Sequence, residues 1–349
     1  LYRRKFHKEL NLNNPQTFNE KVNWLKFRSD TSLWTELADK YKVREYIKNN
    51  GLEEILVKLY GKWDRVEDID FEQLPNSFVL KSNNGCGTVL LVEDKTKLDL
   101  QATRKLLKKW LKQKYGYTTA EPHYTTIKPC IIAEEYLKWD NPSISSSLID
   151  YKFHCIHGSP LYIQVMSDRQ PGHIYHWNIY NTFWQPYSGY IPPQLKKDSE
   201  IPCPQSFERM LDICKILSKP FPQVRIDLYE IGGKIYFGEM TFTSAGGYDD
   251  EIPNDLDVEM GEKMNLPVEK RMVKRIRNTT PQKELNDVER KINLKKAFQL
   301  VPNIVKYRKI LIVDDIYTTG STIDAVAEVL LQAGVDEIYF LCISIGEGF

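Results

Sequence analysis

Hydrophobic and polar positions follow helical and strand spacings in turn along the first two thirds of the chain. Thr17 and Glu20 form a capping-box pattern that opens a predicted helix through Leu25. Apolar residues three and four positions apart predict further helices over 33–47, 106–111 and 206–218. Apolar runs bounded by turn residues predict strands at 78–82, 88–93, 130–136, 148–156, 160–166, 224–230 and 234–241. The mixture predicts an α+β fold for this part of the chain.

A different pattern occupies the end of the chain. Residues 309–313 form a continuous apolar run, as in a buried parallel strand, and Asp314 and Asp315 follow it directly. A turn rich in hydroxyl groups and Gly then leads into an apolar-periodic helix and a second apolar strand, EIYFLCIS. This order predicts a Rossmann-like α/β half-unit with a phosphate site at the helix N-terminus.

Composition places a boundary between these parts. All seven Trp lie before Pro267, and residues 268–310 hold 13 basic and 4 acidic side chains. We therefore predict two units, residues 1–267 and 268–349. The net charge of +1 argues against recruitment of nucleic acid or membrane by a global field. No apolar run approaches the roughly 18 residues of a membrane helix.

The cysteine spacing and the first residues of the chain bear on its redox chemistry and cellular location. The six Cys contain no CxxC pair, which argues against a disulfide framework or a zinc site. The opening LYRRKFHKEL lacks an apolar signal core, so we expect a cytoplasmic protein. Because the chain starts without Met, its true N-terminus is expected to lie further upstream.

Two strand ends in the first unit carry candidate chemistry. Lys81 ends an apolar strand and is followed by a turn containing Gly85 and Gly87, which suits a phosphate cradle but also a plain hairpin. Glu134 and Glu135 end the strand IIAEEYL, where they could hold an adenine amino group or form a solvated strand end.

Strand alternation brings a second group of polar residues together. Asp150, Lys152 and His154 share one face of a strand, which suits either a cleft or an exposed sheet face. In VRIDLYEIGGKIYFGEMTFTSAGG, the Gly-Gly turn predicts a hairpin that brings Asp227 and Glu239 together. Two carboxylates aimed at one point repel unless a hard cation lies between them, so this hairpin predicts Mg²⁺ beside phosphates.

These motifs, in this order, resemble the ATP-grasp superfamily, and most closely its TupA-like members of cell-surface polysaccharide (teichuronopeptide) biosynthesis. The resemblance covers about residues 1–266 and rests on ADKYKVREYI, FVLKSNNGCG, IIAEEYL, DYKFHCIHG and the hairpin sequence. It implies an α+β ATP-grasp fold with two lobes around a nucleotide cleft. It also implies ATP and Mg²⁺ as cofactors, and ligation in which a carboxylate becomes an acyl phosphate that an amine or similar nucleophile attacks.

The resemblance also implies roles for individual residues. It assigns phosphate contacts to Lys40, Lys81, Gly85 and Gly87. It assigns adenine contacts to Glu134, Glu135, Tyr136 and Leu137, and ribose contacts to Asp150. Catalytic roles fall to Arg225 and Lys152, and metal binding to Asp227, Glu239 and Thr241. Many superfamily members have Asn where this chain has Thr241, so the metal geometry is expected to differ.

The final segment, IVDDIYTTGST, resembles the phosphoribosyl-pyrophosphate (PRPP) loop of type I phosphoribosyltransferases. RNTTPQ and RKINLKKAF upstream resemble the ComF-type subgroup linked to DNA uptake. The resemblance assigns the ribose to Asp314 and Asp315. It assigns PRPP or phosphate to Thr318, Thr319, Gly320, Ser321 and Thr322. The first half of that fold, with its pyrophosphate loop, is missing ahead of this segment, so we expect a partial unit without base transfer.

Three functions stay open on the sequence. The first is an ATP-dependent ligase of surface-polysaccharide assembly, acting on a small molecule or a glycan or peptide precursor. The second is a ComF-like transferase or DNA-uptake protein, and the third is a fusion product that binds nucleotide without turnover. For the first unit we expect no nucleic-acid contact, and for the whole chain no membrane span.

Overall fold

The computed structural model describes residues 1–170, 174–189, 191–192, 195–197, 199–264, 273–275, 297–300, 309–317 and 320–345. Contacts between Cα atoms divide the chain into two compact units, Leu1–Asn265 and Leu266–Phe349. No helix among these residues is long and apolar enough to cross a membrane. Thr318, Thr319 and most of the upstream ComF-like residues lie outside the described part.

Nine described α-helices are numbered here in chain order. They are α1 Tyr2–Phe6, α2 Phe18–Arg28, α3 Ser32–Leu37, α4 Val43–Asn49, α5 Leu100–Leu111, α6 Pro122–Thr125, α7 Phe207–Ser218, α8 Asn254–Lys263 and α9 Ser321–Gln332.

The described strands are numbered in the same way. They are β1 Leu59–Trp63, β2 Phe78–Ser82, β3 Val89–Val92, β4 Ile131–Glu135, β5 Asp150–Ile156, β6 Ser159–Gln170, β7 Ile174–Asn181, β8 Gln223–Ile231, β9 Lys234–Thr241, β10 Val273–Arg275, β11 Phe298–Leu300, β12 Lys309–Tyr317 and β13 Glu337–Ile345.

The first unit contains two antiparallel sheets with separate hydrophobic cores. One sheet has the strand order β1-β4-β2-β3, and the amphipathic helix α5 packs on it through Leu107 and Trp110. The other has the order β7-β6-β5-β8-β9, and α7 packs on its apolar face. Each sheet buries one face against its helix, and the opposite face of the five-stranded sheet carries the polar residues.

The helices near the start of the chain form where the sequence predicts them, with one difference. The capping box of α2 is present, because Thr17 accepts from the Glu20 N–H while Glu20 accepts from the Thr17 N–H. The single helix predicted over 33–47 is wrong, because two helices form there. The first ends at Leu37, and Asp39 then accepts from the backbone N–H groups of Tyr41 and Lys42, which starts a new turn before α4.

The second unit has a parallel pair, β12 and β13, joined through α9 as predicted. Ile312, Leu330 and Ile338 pack together on the helix side of this pair. The expectation of full burial is wrong for other strand positions, because Leu311 is 55% exposed and Val313 is 63% exposed. Among the described residues, one helix covers one face of this two-stranded sheet, and Leu311 and Val313 lie on the other face.

A buried histidine in the first unit gives a pH prediction. His123 in α6 is 1% exposed, and neither ring nitrogen has a hydrogen-bond partner within the described residues. Burial, reinforced by the Lys26 charge, lowers the pKa of His123 to about 3. The unfolded chain takes up this proton as the pH falls below roughly 6.5, but the folded chain does not, so stability falls with pH in that window.

We expect His123→Met to remove this pH dependence. Between pH 7 and pH 5 the variant should lose about 2 kcal/mol less unfolding free energy than the parent chain, because it has no imidazole to protonate. Urea unfolding at the two pH values measures the difference. His157→Asn, at an exposed turn position with φ 48°, is the matched control. Equal losses in His123→Met and the parent would contradict the prediction.

Candidate functional site

Strand pairing gathers the predicted catalytic and metal residues on one face of the five-stranded sheet. Lys152 of β5 lies opposite Asp227 of β8, and Asp227 lies opposite Glu239 of β9. Arg225 lies opposite Thr241 in the same pair of strands. The alternation read from the sequence is therefore confirmed at these positions, and the alternative of an exposed face is wrong because every residue of β5 is buried.

One atom of Arg225 marks the point where the predicted metal ligands converge. Its Nη2 lies 2.8 Å from Asp227 Oδ2, 3.1 Å from Glu239 Oε1 and 3.1 Å from Thr241 Oγ1. Its Nε also donates to Asp227 Oδ1 at 2.7 Å. Three oxygens on two strands thus surround a single positive group, and oxygen is the ligand atom that hard cations prefer.

Charge contacts set the protonation of these acids. Burial disfavours the ionised form of Glu239, but Lys40 and Arg225 lower its pKa to about 2. Burial raises the pKa of Asp227, although Arg225 and Lys152 oppose that rise. Burial would lower the pKa of Arg225, but Asp227 and Glu239 raise it further above its ordinary value. At neutral pH the site holds an ionised Glu239 beside a permanent cation.

Lys40 connects the metal-ligand strand with the Gly-rich turn. Its Nζ lies 3.3 Å from Glu239 Oε2 and donates to the Gly85 carbonyl at 2.5 Å. Gly85 has φ +99°, and a Cβ at that position would lie 2.5 Å from the Tyr115 ring, so only Gly fits there. Gly87 in the same turn has φ +74°.

Glu134 lies between two cations at the end of β4. Lys81 Nζ contacts its Oε2 at 2.8 Å, and Arg44 Nη1 contacts its Oε1 at 3.2 Å. Next to it, the Glu135 backbone N–H donates to the Lys58 carbonyl. Further along the predicted hinge, the Tyr136 hydroxyl donates to Glu93, and Leu137 is half-buried. The solvated strand end is wrong for Glu134, which is 7% exposed.

Asp150, the predicted ribose ligand, is enclosed by cations. Its Oδ2 lies 2.7 Å from Lys152 Nζ and 3.2 Å from Arg169 Nη1, and the carboxyl group is 2% exposed. Its Oδ1 is buried without a hydrogen-bond partner in the described part of the chain. Lys152 also contacts Asp227 Oδ2 at 2.5 Å, so one ammonium group links the predicted ribose and metal ligands.

Comparison with known proteins decides the family. A family profile described as TupA-like ATPgrasp matches residues 20–265, and one described as a phosphoribosyl transferase domain matches residues 266–344. The chain belongs to the TupA-like ATP-grasp family. These matches confirm both resemblances seen in the sequence. They also confirm the prediction of an enzyme of the ATP-grasp type.

Individual proteins match parts of this TupA-like chain. Competence protein F from Haemophilus influenzae is 36% identical over 85 residues, which are 24% of this chain and 37% of that protein. The DNA utilization protein YhgH from Escherichia coli K12 is 43% identical over 72 residues, which are 20% of this chain and 31% of that protein. The chain therefore spans about a third of the length of these curated relatives.

A solved structure aligns with part of the TupA-like chain. It is the D-alanine–D-alanine ligase of Bacillus anthracis complexed with ATP, which is 16% identical. The alignment covers 65% of this chain and 67% of that one, with a TM-score of 0.39.

The phosphoribosyltransferase-like residues of the TupA-like chain are described in part. Asp314 and Asp315 lie in β12, and Asp314 is opposite Cys342 of β13. Gly320, with φ +71°, is the N-cap of α9, and Ser321 and Thr322 form its first turn. The small residues predicted at a helix N-terminus are present, but β12 continues to Tyr317, so the expectation that Asp314 and Asp315 end the strand is wrong.

Sequence reasoning missed Arg44, Arg169 and a polar face of α2 in the TupA-like unit. Asn19, Asn23 and Lys26 donate to the carbonyls of Asp249, Gly247 and Gly246 respectively. Their spacing of four and three residues puts them on one side of α2, and their acceptors lie in the turn that follows β9. Burial lowers the pKa of Lys26 to about 8.

Proposed function

We propose that the first unit is an ATP- and Mg²⁺-dependent ligase that activates a carboxylate as an acyl phosphate for attack by an amine or similar nucleophile. The observation that carries the proposal is the convergence of Asp227, Glu239 and Thr241 on one atom of Arg225. Family membership supplies the ATP-grasp reaction type, and this cluster supplies the groups that such a reaction needs.

Charge in the site supports binding of a polyanion. Six cations contact four carboxylates there: Lys40, Arg44, Lys81, Lys152, Arg169 and Arg225 against Glu134, Asp150, Asp227 and Glu239. The surplus of two positive charges suits the phosphates of ATP, and the burial of Asp150, Asp227 and Glu134 strengthens their contacts. Lys40 and Lys81 are proposed to bind phosphate oxygens, and Glu134 with the 135–137 segment to bind adenine.

The oxygen donors fit Mg²⁺. Asp227, Glu239 and Thr241 already surround a positive group, so they would hold the metal once Arg225 turns toward the substrate. Bound Mg²⁺ neutralises phosphate charge and orients the transferred phosphoryl group. Arg225 and Lys152 are proposed to stabilise the charge that develops there, because both lie within hydrogen-bond distance of Asp227.

The cell-surface polysaccharide role is part of this proposal, with a small molecule or a glycan or peptide precursor as substrate. The TupA-like family match supports it. A cytoplasmic location follows from the proposed use of ATP and Mg²⁺.

Lys81→Ala is the test of nucleotide binding. We expect the dissociation constant of a nonhydrolysable ATP analogue with Mg²⁺ to rise by about tenfold or more, because a charged contact is lost. Isothermal titration calorimetry measures the change. The matched control is Lys108→Ala, because Lys108 lies on α5 and forms an exposed ion pair with Glu67. This variant should bind the ATP analogue like the parent chain. Unchanged binding in Lys81→Ala would contradict the assignment.

A second candidate function concerns the final unit. The Gly320 cap and the first turn of the twelve-residue helix α9 favour binding of phosphate or PRPP there, together with the match of residues 266–344 to a phosphoribosyl transferase domain. We propose weak binding without base transfer, because no pyrophosphate loop precedes the segment. PRPP should release no pyrophosphate with any nucleobase of a panel. Release that is lost in Asp314→Ala would favour a ComF-like transferase instead.

A further inference from the structure

A cavity of about 330 Å³ lies on the face of the five-stranded sheet opposite Asp227 and Glu239. Tyr151 and Glu230 line it. Tyr151 alternates along β5 with Lys152, and Glu230 alternates along β8 with Tyr229, so both point away from the face that carries Asp227 and Glu239. The sheet therefore separates this cavity from the proposed ATP site. Its size is at the small end of the roughly 300–1,000 Å³ typical of ligand pockets, which suits a single ring.

Part of the cavity lining is apolar and buried. Ile149, Tyr151 and Ile201 are 1%, 4% and 2% exposed. Trp139 lines the same cavity and packs against the core of the sheet. Its indole Nε1 donates to the Ser145 carbonyl at 2.8 Å, which holds the ring in one orientation. An oriented aromatic surface binds a flat apolar face without ordering cost.

The polar part of the lining carries negative charge. Glu230 accepts from the backbone N–H groups of Gln205 at 3.2 Å and Ser206 at 2.7 Å, one on each carboxylate oxygen. Each oxygen keeps a further lone pair for a ligand donor. Asp140, Asn141 and Gln205 also belong to the polar lining. The described lining residues include two carboxylates, and none of them is Lys, Arg or His, so the cavity disfavours phosphates and carboxylates.

We propose that this cavity binds a pyranose sugar that presents hydroxyl or ammonium donors. A pyranose has one face of C–H groups, which suits the Trp139 ring, and an edge of donors, which suits the carboxylates of Glu230 and Asp140. Because the lining disfavours anions, a neutral or amino sugar fits and a sugar acid does not. The site goes beyond the proposed ligase reaction, because none of its lining residues belongs to the proposed nucleotide site.

Saturation-transfer NMR and calorimetry on the full chain test the proposal with three probes. Glucosamine and glucose are expected to bind, glucosamine more tightly, while glucuronate should bind at least tenfold more weakly than glucose. Trp139→Ala should weaken glucose binding by about tenfold. Trp24→Ala, at a position on α2 that is 36% exposed, is the matched control and should bind glucose like the parent.

The Asp140→Asn variant tests the role of the carboxylate in sugar binding. Asp140→Asn changes an exposed residue, so it should fold and should reduce the preference for glucosamine over glucose even if Trp139→Ala does not fold. Binding of the ATP analogue should be unchanged in Asp140→Asn, which separates this site from the ligase proposal. Absence of glucose and glucosamine binding, equal binding of glucuronate, or an unchanged sugar preference in Asp140→Asn would overturn the proposal.

Discussion

Glu239→Gln is expected to reduce Mg²⁺-dependent ATP turnover by about two to three orders of magnitude while leaving the fold intact. The substitution removes the charge that Lys40 and Arg225 stabilise, and it replaces one of the three oxygen donors proposed for the metal, a carboxylate, with a neutral amide oxygen that binds Mg²⁺ more weakly. Its amide still accepts a hydrogen bond from Arg225, so the strand pairing of β8 and β9 should persist.

The measurement is ADP formation at saturating Mg²⁺, with circular dichroism as the check on folding. Glu208→Gln, on an exposed position of α7, makes the same chemical change away from the site and should keep the parent rate. A Glu239→Gln protein that turns over ATP at the parent rate would sink the metal assignment.

Arg225→Met is expected to destabilise the first unit by about 3–5 kcal/mol in the presence of EDTA, because it leaves Asp227 and Glu239 facing each other with their shared cation removed. Asp227 is 1% exposed, so water cannot take over the role of the guanidinium. Millimolar Mg²⁺ should restore part of this loss, since the three oxygens then have a cation again.

Thermal unfolding with and without Mg²⁺ distinguishes this effect from simple loss of packing. Arg104→Met is the matched control, because Arg104 donates to the carbonyls of Val66 and Ile69, lies over the Phe71 ring and has no acidic partner among the described residues. Arg104→Met should lower the melting temperature with no added response to Mg²⁺. If both variants respond equally to Mg²⁺, the convergence point does not bind the metal.

The charged face could be predicted from the sequence because its geometry is local. The alternation of Arg225 with Asp227 and of Glu239 with Thr241, together with a Gly-Gly turn of positive φ, determines which side chains share a face. A two-stranded hairpin therefore carries most of the proposed metal site within 17 residues of chain.

The remaining contacts depend on residues far apart in sequence. Lys26 and Gly246 are 220 residues apart, and Asn23 and Gly247 are 224 apart. In the sequence these polar positions look like the solvated side of α2, because no nearby pattern shows which carbonyls they meet. Arg169 is similar, since the length of β6 and its pairing with β5 determine its approach to Asp150.

The ion pairs of Lys81 with Glu134 and of Lys40 with Glu239 have a consequence for substrate affinity. Each lysine proposed to bind phosphate already has a carboxylate partner, so nucleotide binding is an exchange of one ionic contact for another. The net gain is the difference between two similar electrostatic energies, and added salt weakens both. The affinity for ATP should accordingly depend on ionic strength far less steeply than it would at a site whose six cations had no carboxylate partners.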